Sequence, residues 1–160
     1  MYDQPDLNRL FRYCCALCDA RPDAYDLLQS AIERCLRTPP DDPERRIAYA
    51  MRVIRNLHYD QLRRQRVVVF EPMEDPSQLP QAGMDSLESI MIDRDELEHA
   101  WRRMTTVERE IVYLWAVEGL STGEISTQLE RPRGSVLSIV HRMRKRLQTQ
   151  NSNTDRASQA

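Results

Sequence analysis

The sequence predicts an all-α protein: two small helical domains joined by an acidic flexible linker, with a C-terminal helix-turn-helix. Three observations predict it. Apolar residues recur near the 3.6-residue period in several segments, and no segment shows the period-2 alternation of a strand. Residues 67–93 hold Pro72, Pro76 and Pro80, and Glu71 to Glu98 carries nine acids against one Arg, the composition of a tether. Met104 to Leu147 contains two capping-box patterns, a glycine stop and a basic final helix. The expected boundaries are a domain at 1–66, a linker at 67–93, a second domain at 94–150 and a disordered tail at 151–160.

The first helix is expected over 7–20, with Leu7, Leu10, Phe11, Cys14 and either Leu17 or Cys18 on its buried side. Pro22-Asp23 breaks it and opens a second helix to Leu36, in which Tyr25 or Leu28, Ala31 or Ile32, and Cys35 are the apolar positions. Pro39, Pro40 and Pro43 make 38–43 a loop. A long helix follows over 44–66. One of its sides carries Ile47, Ala50, Met51, Ile54, Leu57 and Gln61, and the other carries Tyr49, Arg52, Asn56, Tyr59, Asp60 and Arg63. Rings alternating with guanidinium groups and an amide form a surface on which unstacked bases could stack while phosphates are neutralised. Taken alone, the same pattern also suits a surface helix with two half-buried tyrosines. A further helix is expected to start between Asp85 and Ser89 and to run to Arg103.

The C-terminal third is the most informative stretch. Thr105 with Glu108 forms a capping box, so a helix starts near Thr106, with Val107, Ile111, Leu114 and Val117 as its stripe. Gly119 ends it as a left-handed residue. Ser121 with Glu124 caps the next helix, which Ile125 and Leu129 bury, and Pro132 introduces the last one. Val136, Val140, Met143 and Leu147 share one face of that last helix. Gly134, Ser138, His141, Arg142 and Lys145 lie opposite, flanked by Ser135, Leu137 and Arg146. Arg131 to Arg146 holds six Lys/Arg and no acid. A helix-turn-helix that inserts its second helix into the major groove has this layout.

The 160 residues carry a formal charge of −2, which by itself does not suggest a nucleic-acid binder. The average hides a basic, acidic, basic order: Arg52 to Arg66 has five Arg against one Asp, then come the acidic segment and the basic last helix. No apolar run approaches the ~20 residues of a membrane span, and no signal peptide is evident, so a cytoplasmic protein is expected. Cys14, Cys15, Cys18 and Cys35 are not a disulfide framework in that compartment. His58, His99 and His141 are distant in sequence and no second cysteine pair completes a zinc pattern, so core packing is the favoured reading over a metal or thiol sensor.

Three blocks in order resemble one family. DAYDLLQSAIERCL (23–36), YAMRVIRNLHYDQLRRQR (49–66) and the block from Met104 to Leu147 are similar to bacterial RNA polymerase sigma factors of the sigma-70 family, group IV, the extracytoplasmic-function (ECF) type. The likeness spans about Leu7 to Leu147. It implies that Asp23, Asp26, Leu27, Gln29 and Glu33 dock on core polymerase, Asp26 pairing with a basic partner on the clamp helices of the largest subunit. It implies that Tyr49, Arg52, Arg55, Asn56, Tyr59, Arg63 and Arg64 contact the −10 promoter element as a melted strand, with loop 38–43 where the family captures a flipped base. It implies that Arg133, Ser135, Leu137, Ser138, His141, Arg142 and Lys145 read the −35 element as duplex.

The implied partners are core RNA polymerase (clamp helices and flap), promoter DNA and an anti-sigma factor, with no membrane insertion. No cofactor, metal or catalytic residue is expected, and the protein is not expected to be an enzyme. The sequence departs from the family pattern at Ser30, Leu36 and Tyr49, and more seriously at Leu137 and Ile139, where basic residues are common. Leu137 could touch thymine methyl groups instead, and Arg133 restores some charge. Two other readings fit the same residues: a helix-turn-helix regulator that never docks on polymerase, and a polymerase-binding adaptor that has lost promoter reading.

Overall fold

Caps and prolines set the helix boundaries. In a computed structural model, which describes residues 1–65 and 94–158, the regular elements are seven α-helices and one short 3-10 turn, with no strand among the described residues. The chain divides into two compact units, Met1–Pro72 and Met73–Ala160. The linker expected at 67–93, and the start expected for the fourth helix, lie outside the described residues.

In the first unit, α1 runs Gln4–Leu17, three residues earlier than the apolar pattern indicates. Asp3 and Asp6 form a reciprocal capping box there, with Asp6 N–H donating to Asp3 Oδ1 at 2.9 Å. Helix α2 (Arg21–Arg37) has Pro22 and Asp23 in its first turn and Arg34 and Arg37 in its last, a charge order that suits the helix dipole. The 3-10 turn Pro43–Arg45 is capped by Asp42 and feeds α3 (Arg46–Gln65). The three helices pack on one another around Leu10, Tyr13, Cys14, Leu17, Leu27 and Ile54. Ala24, Ala31 and Ala50 are fully buried, and these small side chains let the helix backbones approach closely. On α3 the buried positions are Ala50, Met51, Val53, Ile54 and His58; Gln61, expected on the core side, is exposed.

In the second unit, α4 (Arg94–Arg103) precedes α5 (Thr106–Ala116), which starts where the sequence indicates. Both expected capping boxes are present, at Thr105/Glu108 and Ser121/Glu124, the latter opening α6 (Thr122–Leu129). The Ser121 backbone and hydroxyl bonds hold the Glu124 carboxyl below its ordinary value. Gly119 takes the left-handed conformation, φ +69°, as expected. Val117 does not extend the α5 stripe; it is exposed at the C-cap, because the helix ends at Ala116 and the chain turns away.

Helix α7 runs Arg133–Ser158, packing Val136, Val140, Met143 and Leu147 against α5 and α6. The helix span includes 151–158, part of the segment expected to be a disordered tail. Extending an existing helix costs far less than nucleating one, and no Gly or Pro after Gly134 stops this one. No helix among the described residues is long and apolar enough to cross a membrane.

Candidate nucleic-acid and polymerase interfaces

The solvent side of α3 is built from a row of positions three and four apart, which lie one above another on a helix. Arg52, Asn56, Arg63 and Arg64 are exposed; Tyr49, Arg55 and Tyr59 are half-buried. The Arg55 guanidinium lies over the Tyr59 ring, 4.9 Å from its centroid, and His58 meets the same ring edge-on at 5.8 Å. Arg63 pairs with Asp60 one turn back. Tyr49 is held differently: its hydroxyl donates to the Thr38 carbonyl at 2.8 Å, across the loop that joins α2 to α3. The geometry offers a cationic row with two aromatic faces and one exposed amide, a surface matched to single-stranded nucleic acid.

Helix α2 presents Asp23, Asp26, Gln29 and Glu33 to solvent, with Gln29 Nε2 donating to Glu33 Oε1 at 3.3 Å. Leu27 is not part of this surface. It is 5 % exposed and belongs to the core, because α1 and α3 both pack against α2 and bury a wider sector than one stripe. The sequence reading missed the apolar partners of these acids. Tyr25 and Leu36 are both exposed, Leu36 by 64 %. They stand eleven residues apart, about three helical turns, and therefore on one face. That spacing was the available signal. Phe11 stacks on Tyr25 with centroids 4.3 Å apart.

On α7, Arg133, Arg142 and Lys145 are exposed, while Ser135, Leu137 and His141 are half-buried. Ser138 is corrected: it is 5 % exposed and its hydroxyl donates to the Gly134 carbonyl at 2.8 Å, so it makes no surface contact. Two helices flank α7, which again widens the buried sector. Leu137 and Ile139 are both half-buried, so their apolar character serves packing as well as any contact. Arg146 turns back onto Glu108 rather than outward. The turn into α7 is held by Glu130, which takes the left-handed conformation (φ 52°), and by Ser126, whose hydroxyl donates to the Arg131 carbonyl at 2.6 Å.

The four thiols are free, and Cys14 and Cys35 are fully enclosed. Burial pushes every one of them up, Cys18 to about 11 with help from the Asp23 and Asp19 carboxylates and Cys15. Cys14 and Cys35, protonated and buried, act as small apolar side chains, while Cys15 and Cys18 are half-buried. No group of three or more metal-ligating side chains is found among the described residues.

The family model for Sigma-70 region 2 matches residues 4–67, and that for Sigma-70, region 4 matches residues 94–147. No curated protein matches the sequence. Among solved structures, the chain is similar to the sigma factor RpoE of Bartonella quintana, crystallised with the anti-sigma factor NepR. The identity is 20 %, 91 % of each chain is covered and the TM-score is 0.62. At that identity the likeness speaks for the fold. The two family matches fall on the two helical units in order, and the chain belongs to the sigma-70 family, with the two-region build of the ECF type. Members of the family are transcription initiation factors and not enzymes.

Proposed function

We propose that this sigma factor binds core RNA polymerase through the exposed face of α2, opens the −10 element along α3 and reads the −35 element as duplex through α7. The observation that carries the reading is the α3 row. Arg52, Asn56 and Arg63 project beside the half-buried rings of Tyr49 and Tyr59, within a unit matched to Sigma-70 region 2. Unstacking a base costs a few kcal/mol. Ring stacking at about 1–3 kcal/mol per base and phosphate neutralisation offset it. Loop 38–43 takes one extruded base.

On α2, Asp26 meets a basic partner on the clamp helices of the polymerase, while Tyr25 and Leu36 supply apolar contact beside Asp23, Gln29 and Glu33. On α7, Arg133, Arg142 and Lys145 neutralise phosphates, and Ser135, Leu137 and His141 reach base edges. The protein works in the cytoplasm, where polymerase is. Since the similar RpoE structure holds an anti-sigma factor, a partner of that kind restrains this chain too.

Run-off transcription with purified core polymerase tests the proposal. Full-length product is expected only when the protein is added, and Asp26→Arg is expected to remove it while leaving −35 duplex binding intact. Sequence-specific duplex binding with no transcript from any tested template would favour a regulator that acts without polymerase.

A further inference from the structure

Residues 38–46 form an arch between α2 and α3, and both feet of the arch are held by side chains from outside it. At one foot, the Tyr49 hydroxyl donates to the Thr38 carbonyl at 2.8 Å. At the other, the Tyr2 hydroxyl donates to the Arg46 carbonyl at 3.3 Å. The Arg46 guanidinium grips Asp6 through Nε at 3.0 Å and Nη2 at 2.9 Å. Asp6 belongs to the capping box that starts α1, so the second foot is tied to the N-terminal helix.

Within the arch, Pro39, Pro40 and Pro43 fix three φ angles, and Asp42 caps the 3-10 turn through the Glu44 N–H at 3.0 Å. Little conformational freedom is left to lose on binding. Such preorganisation sharpens discrimination, because a misfitting group cannot be accommodated by loop adjustment.

The arch lies where the α3 row ends. Tyr49, Arg52 and Asn56 follow one another at three and four residues. A strand tracking that row toward the helix N-terminus reaches Tyr49, and with it the Thr38 foot, one turn beyond Arg52. The Tyr49 ring stands between row and arch, and its hydroxyl bond fixes its tilt.

We infer that Tyr49 and Tyr2 are positioning residues: they lock the 38–46 arch beside the α3 row, and the locked arch discriminates among bases at one position of the melted −10 strand. The inference rests on the −10 reading proposed above. It gives Tyr49 a task that its ring alone cannot perform, and it gives Tyr2, outside every candidate site read from the sequence, a part in specificity.

The test uses holoenzyme assembled with wild-type protein, Tyr49→Phe or Tyr2→Phe. Each −10 position of a promoter is changed to the other three bases in turn, and opening is followed by 2-aminopurine fluorescence. Both Phe variants keep the ring and lose only the hydroxyl. Each is expected to lose about fivefold to tenfold of the base preference, the scale of one lost hydrogen bond, at a single position shared by the two variants. Preference at the remaining positions should stay as in wild type. An unchanged preference profile, or an even loss at all positions, would overturn the inference, the latter marking general loosening of the unit. If wild-type holoenzyme opens no promoter, the −10 reading itself fails and this inference falls with it.

Discussion

Arg146 on α7 donates to both carboxylate oxygens of Glu108 on α5, Nη1 to Oε1 at 3.0 Å and Nη2 to Oε2 at 2.6 Å. Glu108 also accepts from the Thr105 N–H at 2.8 Å, so one carboxylate starts α5 and anchors α7. Arg146 reaches further to the Arg103 carbonyl, while Arg109 donates to the Trp101 carbonyl at 3.0 Å. Two guanidinium groups thus satisfy carbonyls at the end of α4, where the helix dipole favours positive charge. The pair ties the α7 segment after Met143 to the first turn of α5.

Arg146→Ala should destabilise the protein by about 1–2 kcal/mol, less than a fully buried pair because the Arg side chain is partly exposed. Urea unfolding measures it. The same variant should leave the slope of log affinity against log salt for −35 duplex unchanged, whereas Lys145→Ala should reduce that slope by about 1. Equal slope changes in the two variants would place Arg146 on the DNA.

The turn into α7 carries strain that glycine would relieve. Glu130 sits at φ 52°, a conformation that L side chains adopt at some cost. Glu130→Gly should raise stability by up to about 1 kcal/mol, and Gly119→Ala, at φ +69°, should lower it by about 1–2 kcal/mol. No atom lies within 4 Å of a Cβ built at Gly119, so the loss there is backbone strain and not collision. Thermal midpoints of the two variants moving in opposite directions check the point.

His58 should make the first unit sensitive to acid. It is 7 % exposed, its Nδ1 stands 3.9 Å from Cys18 Sγ, and its Nε2 has no hydrogen-bond partner among the described residues. Burial lowers its pKa below the ordinary 6.5, against an opposing pull from Asp19. The unfolded chain therefore binds this proton more readily than the native one. The stabilising contribution is complete above the unfolded pKa and is lost as pH falls below about 6.5. His58→Gln should flatten the fall of the thermal midpoint between pH 8 and pH 5.5. An identical slope in wild type and variant would show that His58 does not carry the acid sensitivity.

Two leucines of α2 should separate folding from docking. Leu27→Ala empties a buried site and should cost about 2–4 kcal/mol of stability. Leu36→Glu alters an exposed position and should leave stability within about 0.5 kcal/mol while weakening core-polymerase binding at least tenfold. Calorimetry together with a polymerase pull-down reads both, and a Leu36 variant that binds polymerase like wild type would move the docking surface elsewhere.

Local features were legible in the sequence. The Thr105/Glu108 and Ser121/Glu124 boxes, the left-handed Gly119 and the breaks at Pro22 and Pro39 involve partners within a few residues, so their geometry follows from spacing. The exposed row Arg52, Asn56 and Arg63 followed from periodicity for the same reason. Features that depend on a second element were not legible. A helical wheel locates the centre of a buried face but not its width, and neighbours on two sides drew Leu27 and Ser138 out of their expected surface roles. Nor could spacing tell which arginine of the last helix turns inward to Glu108, 38 residues away. The Tyr49–Thr38 and Tyr2–Arg46 bonds cross between elements and leave no local signature.

Permanganate footprinting of a promoter in the presence of core polymerase reads strand opening itself, because it reports unpaired thymines. Reactive thymines across the −10 element are expected when core and this protein are both present, and they should vanish with an Arg52→Ala/Asn56→Ala double variant that still binds core. Reactivity that persists undiminished in the double variant, or never appears on any promoter with the wild-type protein, would contradict the assignment of strand opening to α3.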